Sequence, residues 1–312
     1  MTRPTVSVVI PTRDRWAFAR RAVAAASAQE GVDVEVIVVD DGSAEGGREQ
    51  LANLGDDRVR LVRNQASAGV AVARNRGIDE ARGDWVALLD DDDLWAPRKL
   101  EAQLAVAAAA GADWAYCASL VVDRDRRPLR LSIDPPDPAT VATELLRRNV
   151  IPAGSSNVVA RAETLRGIGR FDERLHQLAD WDCWLRLAVA APAAVAPEVL
   201  VAYTEHPGNM LLTDAGQVMR ELDYIAEKHR ERSREAGLQF DRLAACRWIA
   251  WAQRRAGLRR QAVATYLRGA VVHRSPGNVV RAVAAGVSER LMKDPAPVSA
   301  PPTAPEWLAR FG

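Results

Sequence analysis

Along the first 122 residues, short apolar runs alternate with stretches whose apolar positions recur at helical spacing. The runs at 5–10 (TVSVVI), 32–40 (VDVEVIVVD), 58–62 (RVRLV), 85–90 (WVALLD) and 112–122 (ADWAYCASLVV) predict strands. Between them, 15–28, 45–54 (weakly), 68–81 and 97–110 predict helices, with Pro97 suited to the first turn of the last. Near-continuous apolar strands that alternate with helices predict an α/β fold, a doubly wound and mostly parallel sheet with flanking helices.

The rhythm then loosens. DRDRRP (123–128) reads as a turn and DPPDP (134–138) as a break. A helix is expected at 139–148, a loop leading into a strand at 151–160, and an amphipathic helix at the end of 171–191. A strand at 194–206 then delivers Thr204-Glu205-His206 to a loop. From about 214 to Lys293 the pattern is all helical, and 248–276 looks like one tetratricopeptide-like helix pair split by Gly257. The Pro/Ala-rich end predicts a disordered tail. The expected boundaries are therefore an α/β domain over 1–212, a C-terminal all-helical appendage over 213–293 and the tail over 294–312.

A chain of 312 residues suits this division. A formal charge of +1 argues against nucleic-acid binding, which needs a strong basic excess. Cys117, Cys183 and Cys246 are far apart and odd in number, which predicts small buried hydrophobes in a reducing cytoplasm. The first strand begins too early for a signal peptide, and the apolar stretch 187–196 is too short to span a bilayer and contains Pro192. Arg247, Arg254, Arg255, Arg259, Arg260 and Arg268 make the C-terminal helices basic; the readings are a solvated face or peripheral contact with the inner face of the membrane.

The chemistry concentrates at strand ends. The first strand ends in Pro11-Thr12-Arg13-Asp14, the second in Asp40-Asp41, and the fourth runs into Asp90, Asp91, Asp92 and Asp93. Loops at the carboxyl edge of a parallel sheet converge, so these groups can share a pocket. Four adjacent carboxylates are unfavourable unless a cation sits among them. A divalent ion on a diphosphate takes one or two carboxylates and completes its shell with phosphate oxygens. The remaining carboxylates can then accept hydrogen bonds from a ribose or a base, which fits a nucleotide.

Four segments in order, VSVVIPTRDR, VVDDGS, residues 64–101 and ADWDCWLRL (179–187), resemble family 2 glycosyltransferases of the GT-A fold over about residues 5–210. The resemblance implies a nucleoside-diphosphate sugar donor (UDP- or dTDP-), a divalent ion (Mn2+ or Mg2+) and inverting transfer to a saccharide, lipid-linked or natural-product acceptor. By resemblance Pro11, Thr12, Asp40 and Asp41 contact the nucleobase, and Arg74 lies near the nucleotide. Asp90-x-Asp92 matches the DxD motif, Asp90 toward the ribose and Asp92 toward the metal, with Asp91 or Asp93 able to substitute. Asp180 matches the catalytic base, though where relatives often carry Glu-Asp this chain has Ala179-Asp180. His206 matches a histidine close to the metal or diphosphate. Gly154 and Ser155 resemble the acceptor loop, and Trp181 or Trp184 can stack on a sugar.

Plainer roles stand beside these: a helix-surface Arg74, a capping Asp180, core tryptophans. A Q-x-x-R-W motif is missing, since Arg247-Trp248 follows Ala244 and not Gln, which favours single addition over polymerisation. A nucleotidyltransferase would want a glycine-rich loop where PTRDRW stands. A receiver-like domain would be shorter than the matched region. A non-catalytic nucleotide-sugar binder and a transferase with a peptide acceptor are the remaining alternatives.

Overall fold

The computed structural model describes residues 5–44, 56–131, 134–206, 214–255, 257–272, 274–287 and 303–311. The helix expected at 45–54 lies outside them. The chain divides into two units, Met1–Leu145 with Val150–Thr204 and Pro301–Gly312, and Leu146–Asn149 with Glu205–Ala300. The first division thus falls near 204, not at the expected 212.

In the first unit, β1 (Thr5–Thr12) lies between β2 (Asp33–Asp40) and β4 (Trp85–Leu88), and β3 (Val59–Arg63) lies outside β2. All three pairings are parallel, with Val8 opposite both Val36 and Ala87. Both faces of these strands are apolar, so both are covered. Val6, Val8 and Ile10 join the core that includes α1 (Trp16–Ser27) and α3 (Lys99–Ala110). Val9 points the other way, toward α2 (Val70–Glu80), where a Cβ on Gly77 would lie 2.2 Å from the Val9 side chain. That missing Cβ lets α2 sit close to the strand.

Beyond β4 the sheet becomes mixed. β8 (Val159–Arg161) pairs antiparallel with β4 and with β6 (Trp114–Val122), which runs parallel to β9 (Ala193–Thr204). The two-residue β5 (Leu94–Trp95) and β7 (Pro128–Leu131) add antiparallel edges to β9 and β6. The mostly parallel expectation therefore describes the first half of the sheet. The β6–β9 register shifts after Cys117, where β9 carries Pro197 and loses a ladder donor. Asn157 continues the ladder from the other side: its Oδ1 accepts from Cys117 N at 2.6 Å and its Nδ2 donates to Cys117 O at 2.8 Å.

The helix expected at 139–148 is the shorter α4 (Val141–Leu145); α5 (Ala162–Gly167) and α6 (Ala179–Ala190) complete the unit. The expected tail 294–312 is corrected in part. Residues 294–302 lie outside the described residues, but Glu306–Phe311 form a short 3-10 helix. Leu308 is buried in the sheet core and Trp307 Nε1 donates to Val199 O at 3.2 Å.

The second unit holds α7 (Ala215–Lys228), α8 (Arg230–Glu235), α9 (Arg242–Arg255), α10 (Arg259–Val272) and α11 (Pro276–Val287). Ala250, Tyr266, Ala282 and Ala285 form a small core among the last three. All three cysteines are buried and unpaired, and burial pushes the Cys117 and Cys183 thiols up to about 12, so they behave as small hydrophobes. Among the described residues no helix is long and apolar enough to cross a membrane.

Candidate active site

The carboxyl ends of β1, β2 and β4 meet as the parallel pairing requires, with Thr12 opposite Asp40 and Leu89 N bonded to Val9 O. After β2 the chain turns sharply at Gly42 (φ +73°), where a Cβ would lie 2.5 Å from Ser67 N. Asp40 is fully buried; its Oδ1 accepts from Ser43 N at 2.8 Å, and among the described residues its Oδ2 faces the Arg63 guanidinium at 3.6 Å without a hydrogen bond. Asp41 accepts from Asn64 Nδ2, Ser67 Oγ, Ala68 N and Gly69 N at 2.8–3.2 Å. Burial alone would raise its carboxyl, but these donors, Asn64 foremost, hold it below the usual range. Asp41 thus anchors the segment that leads into α2.

The four aspartates split by exposure. The turn is closed by Asp93 N donating to Asp90 O, which leaves Asp90 and Asp92 partly exposed and buries Asp91 and Asp93. Asp91 accepts from Thr12 Oγ1 at 2.7 Å and from Arg15 Nε and Nη2, while Arg15 Nη1 reaches Asp92 at 2.9 Å. Burial and the neighbouring Asp92 push the Asp91 carboxyl up to about 7, against the pull of Arg15 and Thr12. Asp93 accepts from Ser156 Oγ at 2.6 Å and from Thr204 N at 2.9 Å, so it ties the turn to the end of β9. Burial raises its carboxyl well above the usual range. Arg74 is buried, donates to Asp90 at 2.6 Å and lies 5.4 Å from the Phe171 ring centroid. The helix-surface reading of Arg74 is therefore set aside.

One four-residue turn connects this cluster to Asp180. In the 3-10 turn Gly154–Asn157, Ser156 Oγ also accepts from Asp90 N at 3.0 Å. Gly154 has φ +49°, and a Cβ there would lie 2.8 Å from Asp180 Oδ2. Asp180 sits in the first turn of α6, its Oδ1 accepting from Trp181 N at 2.7 Å, so a role at the helix start is real as well. Ser155 is buried and its hydroxyl has no hydrogen-bond partner among the described residues.

The tryptophans are core. Trp181 is 5 % exposed with Nε1 on Leu145 O at 2.8 Å, and Trp184 is 0 % exposed and edge-on to Phe171, so neither indole presents a face for sugar stacking. Pro11 and Thr12 are buried at the end of β1. His206 is buried two residues beyond Thr204 and belongs to the second unit, and 207–213 lie outside the described residues. Arg15, Asn64 and Ser67, which sequence reasoning does not single out, bond the aspartates of this cluster, and Ser156, from the expected acceptor loop, bonds the acidic turn. A shallow crevice of about 10 Å³ beside Asp91–Asp93 is also lined by Arg21, Arg124 and Arg126, which places cations next to the acidic turn. Among the described residues no three acidic, histidine or cysteine side chains form a preformed cation cage. The partly exposed Asp92 instead fits an ion shared with phosphate oxygens.

Comparison with known proteins bears on the family and the fold. The family model "Glycosyl transferase family 2" matches residues 7–166. The succinoglycan biosynthesis protein ExoO of Rhizobium meliloti is 43% identical over 128 residues, 41% of this chain and 37% of that protein. The chain therefore spans well under half the length of that relative. Among solved structures, S. aureus TarS 1-349 in complex with UDP-GlcNAc superposes with a TM-score of 0.60 at 16% identity, covering 92% of this chain and 82% of that one. The mannosyltransferase PcManGT from Pyrobaculum calidifontis, in complex with GDP-Man and Mn2+, gives 0.55 at 18% identity, covering 93% and 83%. At such identities these likenesses show the fold alone. By the family match over half its length, the chain belongs to glycosyl transferase family 2.

Proposed function

We propose that the protein transfers one sugar from a nucleoside-diphosphate sugar to an acceptor hydroxyl, with inversion. The observation that carries this reading is the Gly154–Asn157 turn, which braces the acidic turn through Ser156 and abuts Asp180 through Gly154. The donor-side acids and the candidate base are thereby parts of one rigid construction. TarS 1-349 was solved with UDP-GlcNAc and PcManGT with GDP-Man and Mn2+, which supports a nucleotide-sugar donor here. A UDP- or dTDP-sugar is the class we favour, with a saccharide, lipid-linked saccharide or natural product as acceptor.

In this reading the turns after β1 and β2 form the wall for the nucleobase. Asp40 and Asp41 act chiefly by fixing those turns, because their carboxylates already hold Ser43 and the 64–69 segment. Arg74 holds Asp90 toward the ribose, and Arg15 keeps Asp91 and Asp92 together before the donor arrives. Asp92 would hold a Mn2+ or Mg2+ ion, which when bound supplies positive charge to the departing diphosphate. Asp180 takes the proton of the acceptor hydroxyl as that oxygen attacks the anomeric carbon from the face opposite the diphosphate. The test is nucleoside-diphosphate release from a panel of UDP- and dTDP-sugars by wild type and Asp180→Asn. Loss of release with donor binding retained supports the reading; equal release by both proteins removes Asp180 from the chemistry.

A further inference from the structure

No aspartate or glutamate stands between Asp241 and Glu289, whereas that stretch carries nine arginines, from Arg242 to Arg281. The chain as a whole is nearly neutral at +1, so this positive charge is a local feature balanced by acid elsewhere in the sequence. Arg259, Arg260, Arg268 and Arg274 are exposed. On α10, Arg260, Leu267, Arg268 and Val271 stand at i, i+7, i+8 and i+11, one helical face, and all four face solvent.

The apolar residues on this surface are as unusual as the charges. Val271 is 79% exposed and Val272 62% at the end of α10, and Val280 and Val283 are 68% and 60% exposed on α11. In α11, Ala282 and Ala285 fill the small core while Val279, Val280 and Val283 occupy the other side. A helix apolar on both sides belongs in a core or against an apolar medium. The exposed valines flank the turn at Arg274, so they form one group in the chain.

We propose that α10 and α11 dock on an anionic bilayer surface, the valines entering the headgroup boundary and the arginines meeting lipid phosphates. Interleaved arginine and aliphatic residues are the composition of helices that lie in a membrane interface. A second copy of this chain suits the face poorly, because symmetric pairing would set arginine against arginine. Nucleic acid leaves the valines without a partner, since its recognition relies on phosphates, base edges and stacking. The inference does not rest on the transferase reading, because vesicle binding needs no donor.

The test is flotation of the full chain with vesicles of phosphatidylcholine alone or mixed with phosphatidylglycerol, at low and high salt. Wild type is expected to float only with the anionic vesicles, less so at high salt. The triple variant Arg260→Gln, Arg268→Gln, Arg274→Gln is expected to partition about a hundredfold more weakly. The pair Val271→Ser, Val280→Ser is expected to lose about tenfold or more. All five positions are exposed, so thermal melting and donor binding of both variants should match wild type. Equal flotation with neutral vesicles, no flotation at all, or an unaffected triple variant would overturn the proposal. So would a concentration-dependent dimer that Val280→Ser abolishes, which would name a second copy as the occupant.

Discussion

At the sheet edge, each aspartate of the acidic turn is met from within its own unit: Asp90 by Arg74, Asp91 by Thr12 and Arg15, Asp92 by Arg15, Asp93 by Ser156 and Thr204 N. In the helical unit, nine arginines follow one another with no acid among them, beside valines that face solvent. Arg242 pairs with Asp223, Arg247 donates to Asn278 and Arg254 is buried, but Arg259, Arg260, Arg268 and Arg274 are exposed, so charge closed into a network in one region is in part turned outward in the other. The closed network fixes positions before a ligand arrives, which is what catalysis by orientation needs. The exposed arginines among them, Arg260, Arg268 and Arg274, are placed to meet something of opposite charge.

Breaking the closed network should show a gradient of effects. Asp180→Asn should lower kcat by about a thousandfold while donor affinity, read by calorimetry, stays near wild type. Gly154→Ala introduces a Cβ into the space of Asp180 Oδ2 at a positive φ, and should cost about tenfold or more in kcat with little change in donor KM. Ser156→Ala removes the hydroxyl shared by Asp93 and Asp90 N, and should lower stability by about 1–3 kcal/mol in chemical denaturation.

Lys99 sharpens the contrast from inside the sheet unit. It is fully buried, donates to Gln103 Oε1 at 2.8 Å and lies 4.0 Å from the Trp95 ring centroid; burial pushes its ammonium down to about 7. Its folded pKa is thus below the unfolded value of about 10.4, so between the two the unfolded chain binds more protons. The Lys99 contribution to stability should therefore rise with pH from about 7 upward, by at most about 1.4 kcal/mol per unit. Lys99→Met should remove this rise, visible as the difference between the two proteins' melting curves over the mildly alkaline range.

Much of this was legible in the sequence. The apolar runs marked β1, β2, β4, β6 and β9 because buried strands of that length leave a pattern. β5 did not show, since two residues carry no period; β8 is the strand expected at the end of 151–160, but its antiparallel pairing with β4 and β6, which makes the sheet mixed, has no local signal. The motif order picked out the acidic turn but not which aspartates point inward; that is decided by the Asp93 N to Asp90 O closure. Arg15 went unnoticed because its partner Asp91 is 76 residues away, and no local spacing announces such a pair. The small residues Ala153-Gly154-Ser155-Ser156 stand out in the sequence, yet the link from Ser156 to the acidic turn is visible only when β8 is set beside β4. Trp307 and Leu308 were hidden by the proline and alanine around them.

The central claim, a nucleotide-sugar site built on the acidic turn, is tested most directly by calorimetric titration of UDP, dTDP, GDP and CDP with and without Mn2+. We expect one nucleotide to bind tightly only when Mn2+ is present, and Asp92→Ala to abolish that binding. No nucleotide binding under either condition, or binding that ignores both Mn2+ and Asp92, would contradict the account.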